Sequence, residues 1–311
     1  MEVKRLGVHR SWNVPRITSE IEKRIQDNWR TSQAERLDEF IHGKRTGRRG
    51  LIEVTSSLWL LGLDYLRRAT RASLASQVRD VAGLALGTSY EVSGREIEGF
   101  LLELRYKKPD DATHGFASGT MLLAQLLSLG WIDVAQRFGD RVIGWLLKDF
   151  YYDARAPYRN CAAWFVMRVF CEWRGQEVMP WPERTHQAPI YDALLATWRE
   201  PEEAQLNEIL LAACDWHTHE CWNWSDRPDQ QGDFSLDTHF AWPIEIHMVF
   251  RLRESLGLRN PKLDHPLMQT ALGEYRPPVA VNTDARLEAV VARVVEMYPE
   301  LADRLALVGR P

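Results

Sequence analysis

The stretch "LIEVTSSLWLLGLDYLRRAT" (51–70) carries apolar side chains at three- and four-residue spacing on one broad face. That is the period of an α-helix, whereas a half-buried strand alternates every second residue. The same spacing recurs along most of the chain, and few segments alternate with period two over five residues. The expected fold is therefore all-α, with antiparallel helical hairpins packed into one large bundle-like domain. A length of 311 residues is enough to bury a substantial core. An N-terminal helical half (1–110) and a C-terminal half (111–311) are expected to form one compact unit.

Local signals suggest where the helices start and stop. The segment 17–41 reads as a single polar helix capped by Thr18 or Ser19. After the helix at 51–70, "ASLASQVRDVAGLALG" reads as a second helix ending at Gly87, since glycine favours a helix C-terminus. Ser93 and Glu96 then have the spacing of a capping box opening a third. One hairpin is expected around Gly130 and another around Glu200-Pro201, with the helix 158–173 between them. Pro243 suits the first turn of a helix bearing Ile244, Met248, Leu252 and Leu256 on one stripe. Thr283 or Asp284 caps the last long helix. Trp59, Trp131, Trp145, Trp164 and Trp198 lie in apolar helical patterns and are expected in the core.

The charge is distributed unevenly. Residues 1–50 carry 12 Lys and Arg against 7 Asp and Glu, whereas residues 200–245 carry 11 acids against Arg227 alone. Such an imbalance speaks of partners: phosphates would be repelled by the acidic segment, and a basic macromolecule would be attracted. No nucleic-acid ligand and no membrane partner are expected. The first residues lack the apolar run of a secretory signal, and nowhere do about 18 apolar residues run uninterrupted. Four cysteines read as reduced thiols, so the chain is expected to be cytoplasmic.

Within the acidic segment several chemistries compete. On a helix over 202–222, Cys214, His217 and Cys221 share one face, and His239 or His247 could complete a zinc site. No second paired cysteine cluster accompanies them, and buried thiols with hydrogen-bonded imidazoles explain the same residues. Asp229, Asp233 and Asp237 are evenly spaced, but a calcium loop needs Gly at its sixth position and Glu at its twelfth, where Phe234 and Phe240 stand. Ser118 lacks the flanking glycines of a nucleophile elbow and reads as part of a helix start. The remaining reading is electrostatic. Asp215, Glu220, Asp226, Asp229, Asp233 and Asp237, together with Trp222 and Trp224, would form an exposed acidic face with aromatic anchors. No cofactor and no catalytic residue are expected on this reading.

The hairpin "YDALLATWREPEEAQLNEILLAACDWHTHE" (191–220), a polar loop and the helix "FAWPIEIHMVFRLRESLGL" (240–258) resemble bacterial immunity proteins of polymorphic toxin systems. The all-α immunity family that protects against PoNe-type DNase effectors is the most similar. The likeness covers about residues 50–270 and rests on element order with Trp242, Glu245, Leu256 and Gly257. The chain departs from that pattern in its loop around 225–235 and in its helix after 283. The resemblance implies a cytoplasmic, non-catalytic protein that binds and neutralises a cognate toxin, a nuclease delivered by type VI secretion. A nuclease must present positive charge to phosphate, which a carboxylate-rich surface can occupy. Two alternatives stay open: a metal-dependent hydrolase built on the Cys/His set, and a helical scaffold or regulator. The oligomeric state is not fixed by the sequence.

Overall fold

A computed structural model describes residues 4–105, 115–151, 160–176, 188–222 and 232–307. Among these residues the fold is all-α, with 11 α-helices, short 3-10 turns and no strand. The N-terminal helices are α1 (Val14–Glu22), α2 (Asp27–Ile41), α3 (Gly47–Ser76) and α4 (Val81–Arg105). Next come α5 (Phe116–Ser128), α6 (Ile132–Leu147), α7 (Cys161–Arg174), α8 (Pro189–Thr197) and α9 (Glu203–His219). The last two are α10 (Ile244–Ser255) and α11 (Ala285–Met297). No described helix is long and apolar enough to cross a membrane.

The longest pairing is between α3 and α4. It differs from the expected pair of shorter helices, because α4 runs unbroken through Gly87, Ser93 and Glu96. Gly87 does not end a helix but lets one approach. A Cβ added there would lie 2.9 Å from the Gly62 carbonyl oxygen, and one added at Gly62 would lie 2.8 Å from the Gly87 oxygen. Two helices with backbone this close tolerate no side chain at the crossing. Ser93 is buried in the interior, and Glu96 pairs with Arg141 of α6 instead of capping. The chain turns between α3 and α4 at Gln77, in the left-handed region with φ 56°.

The segment 17–41 also differs from expectation. It is two helices, broken at residues 23–26, and the cap is Asn13, whose side chain accepts from the Arg16 amide. The break turns Ile17 and Ile21 of α1 into one core cluster, while Leu37 and Phe40 of α2 enter another. Asp284 caps α11 as expected, accepting from the Leu287 amide at 2.9 Å. Gly130 ends the α5 hairpin in the left-handed region at φ 81°.

The larger core cluster gathers side chains of α5 to α10 with others from α1, α3 and α4, and the smaller joins α2, α3, α4 and α11. α10 is the inner helix: every residue from Ile244 to Arg253 is buried, so its apolar residues are not confined to one stripe, and Leu256 lies outside at 46% exposure. It is packed against α5, α7 and α9. Trp131, Trp145, Trp164 and Trp198 are buried as expected, whereas Trp59 is half-buried.

The α3–α4 crossing gives a direct test. Gly87→Ala forces a methyl into the Gly62 backbone, and overpacking of this kind costs roughly 1–3 kcal/mol. The unfolding midpoint in urea should fall accordingly, while Gly144→Ala, with open space around its Cβ, should be neutral or stabilising.

Candidate functional site

The acidic segment does not form one exposed face. Its central carboxylates fold inward, and the chain's own N-terminal arginines neutralise them. Asp237, in the turn before α10, is fully buried; it accepts from Arg24, in the break between α1 and α2, at 3.1 Å and from Arg67 of α3 at 3.1 and 3.2 Å. Asp215, inside α9, is equally buried and takes a two-pronged contact from Arg5, at 2.6 and 3.3 Å. The Leu6 amide and His265 complete its shell at 3.1 Å each. Burial opposes the Asp215 charge, but Arg5, the Gly7 amide and His265 hold its carboxyl below the ordinary range.

These contacts fasten an N-terminal arm along α9. The His9 amide donates to Thr218 Oγ1 at 2.9 Å, His219 Nε2 donates to the Gly7 carbonyl at 3.0 Å, and the Trp12 indole donates to the Phe240 carbonyl at 2.7 Å. Arg5 and Arg24 of the basic N-terminal segment thus pair with Asp215 and Asp237 of the acidic one within the molecule.

The other expected surface residues have similar fates. Trp222 is buried at 7% exposure. Glu220 and Asp233 are half-buried. Asp233 receives the Trp216 indole at 3.3 Å and the first amides of α7, those of Cys161 and Ala162. It thereby supplies an N-terminal cap for a helix whose own flanking residue, Asn160, makes none. Burial raises its carboxyl to about 6. Trp224, Asp226 and Asp229 lie outside the described residues.

The Cys/His set is brought together but its polar atoms are committed elsewhere. His217 is fully buried, with Nδ1 2.9 Å from Glu245 Oε1 and Nε2 3.0 Å from the His239 carbonyl. Burial disfavours the charged ring, yet Glu245 and the Cys221 sulfur hold it protonated well above its ordinary value. Both ring nitrogens are thus engaged by protein oxygens. The Cys221 thiol donates to the His217 carbonyl at 3.0 Å, and burial keeps the Cys214 thiol well above its usual value. Among the described residues, no three His, Cys, Asp or Glu side chains are placed to hold a metal ion.

One polar crevice was not singled out by sequence reasoning. Trp59, Glu91, Arg95, Ser118, Gln125 and His239 surround it, with standing room of about 10 Å³, roughly that of one water. Gln125 lies at its centre. Its amide donates to Thr88 Oγ1 at 2.8 Å and to Glu91 at 3.2 Å, and its carbonyl accepts from His239 Nε2 at 3.0 Å. Burial lifts the Glu91 carboxyl to about 7 and drops the His239 ring to about 3. Ser118 accepts from Arg95 at 2.9 Å and donates to the Gly115 carbonyl at 3.0 Å, which fits the expected helix-start role. The crevice can hold or pass a proton, but it has no room for an organic substrate. The available signal was a lone carboxylate, Glu91, in the apolar, small-residue stretch 81–94.

No protein-family model matches this chain, and neither the curated proteins nor the solved structures contain a significant match to it.

Two outcomes follow from these burials. Asp237→Ala should cost roughly 3–5 kcal/mol in urea unfolding, because Arg24 and Arg67 lose their common anion; Arg67→Met combined with Asp237→Leu should recover much of that loss. Glu91 titrates at about 7 in the fold against 4.5 as an ordinary carboxyl, so the folded state binds more protons across that window. Its contribution to stability is complete below pH 4.5 and is lost as pH rises through 7. Glu91→Gln should therefore be near-neutral at pH 5 and stabilising at pH 8, by up to about 3 kcal/mol.

Proposed function

We propose that this chain is a non-catalytic binding protein of the immunity type, which neutralises a basic protein toxin, a nuclease, by occupying its phosphate-binding surface. The single observation carrying this reading is the acidic corner between α8 and α9. Glu200, Glu202 and Glu208 are exposed there, with Glu203 half-exposed beside them. They belong to the 200–245 acidic excess and, unlike Asp215 and Asp237, they face solvent. Arg259, which meets Glu203 at 3.0 Å, and exposed Arg199 are the nearby cations on this corner.

Carboxylates on a rigid helix start suit such a role. They repel nucleic acid and accelerate encounter with a positively charged cleft. The corner replaces Asp215 and Asp237 in the binding surface, because those two are occupied within the fold. Trp224, Asp226 and Asp229 remain part of the proposal through the sequence alone.

Charge reversal at the corner provides the test. Glu200→Lys, Glu202→Lys and Glu208→Lys together should slow association with the toxin encoded beside this gene by about tenfold or more, steeply at low salt, with helical circular dichroism unchanged. Undiminished protection of toxin-expressing cells would remove the corner from the interface. Absence of a toxin-like reading frame beside the gene would remove the immunity role.

A further inference from the structure

A second charged locality, on the opposite sign, lies where the α3–α4 turn meets α10 and the segment after it. Arg79 in that turn stacks over the Trp242 ring, 5.3 Å from guanidinium carbon to ring centre. Its Nε and Nη2 are shut off from solvent and have no hydrogen-bond partner among the described residues. Those two atoms form the fork that Arg5 presents to Asp215 and Arg286 presents to Asp38, at 2.9 and 3.3 Å in the second pair. The same fork on Arg79 meets no carboxylate among the described residues.

The neighbours have the same shortage of acceptors. Arg251 is 5% exposed, spends Nη1 on Glu254 and Nη2 on the Arg276 carbonyl, and leaves Nε unmatched. The indole N–H of fully buried Trp242 has no acceptor among the described residues. Arg276 already pairs with Glu274. Asp80, next in sequence, accepts from the Gly83 amide at the start of α4. Burial, reinforced by the charges of Arg276 and Arg251, pulls the Arg79 guanidinium down to about 10. Buried donors normally find acceptors, and a buried charge without one is strongly penalised.

We propose that the Arg79 fork, with the Trp242 indole and Arg251 beside it, is a binding site for a small oxyanion of the carboxylate or phosphate class. Two oxygens of such a group match the guanidinium edge. The locality then becomes charge-balanced, because Glu274 and Glu254 already serve Arg276 and Arg251. Arg79 as a whole is only half-buried, on the turn beside Val78 at 69% exposure, so the fork reaches an entering anion by a swing of that side chain. This site is independent of the acidic corner and of any toxin.

The experiment uses the full-length, isotope-labelled protein. The Trp242 indole resonance, assigned with Trp242→Phe, and the thermal midpoint are followed during titration with inorganic phosphate, acetate and chloride at constant ionic strength. Phosphate or acetate should move the indole signal saturably and raise the midpoint, whereas chloride should do neither. A response to acetate comparable with that to phosphate marks the site as one for carboxylates, a protein carboxylate included; a response to phosphate alone marks it as one for free phosphate groups. Arg79→Met should lose both responses, yet match or exceed the native midpoint in chloride, because an apolar chain of similar volume replaces an unmatched charge. Arg79→Lys retains the charge without the fork and should weaken binding about tenfold or more. The proposal fails if no oxyanion acts saturably. It also fails if Arg79→Met responds like the native chain, which would mean an adventitious ion only. A lower midpoint of Arg79→Met in chloride, with no anion response in the native chain, would reduce Arg79 to a packing role over Trp242.

Discussion

Asp237 ties the molecule together. One buried carboxylate receives arginines from the α1–α2 break and from α3, 213 and 170 residues away in the chain, and stands at the entrance to the most deeply buried helix. A carboxylate at zero exposure persists only if cations follow it inside. The turn before α10, the N-terminal helix and the long α3 are therefore held in one relative placement. Asp215 does the same for the N-terminal arm through Arg5, 210 residues distant.

Between these two anchors runs a continuous internal hydrogen-bonded chain. It passes from Glu245 of α10 to His217 of α9, through the His239 carbonyl and ring to Gln125 of α5, and on to Thr88 and Glu91 of α4. Buried networks of this kind make alternative packings expensive, because an alternative that breaks these bonds strands further polar atoms. The histidines differ in state as a result. His217, facing a carboxylate, keeps its proton, while His239, facing an amide beside that charged ring, stays neutral. The buried carboxylates and imidazoles of residues 200–245 thus serve the packing of the fold, and other charges stand at the edges of the fold.

Those edges carry opposite signs. The α8–α9 corner collects carboxylates in water, whereas the α3–α4 turn presses a guanidinium against an indole without an acceptor. Each is a short connection held between long packed helices, where a charged side chain can be positioned without distorting the core.

The helical class, the two hairpins, the Asp284 cap and most of the tryptophan core were legible in the sequence, because three- and four-residue periodicity and capping chemistry are local. The concentration of acids in residues 200–245 was visible in the sequence too. What they do was decided by contacts across some two hundred residues. Gly87 reads locally as a helix end, and only Gly62 on the facing helix makes it a crossing point. Asp215 and Asp237 read locally as solvated acids, and only Arg5, Arg24 and Arg67 allow them inside. A sequence states which charges exist; the free energy of burying them depends on which opposite charges the fold brings within about 3 Å.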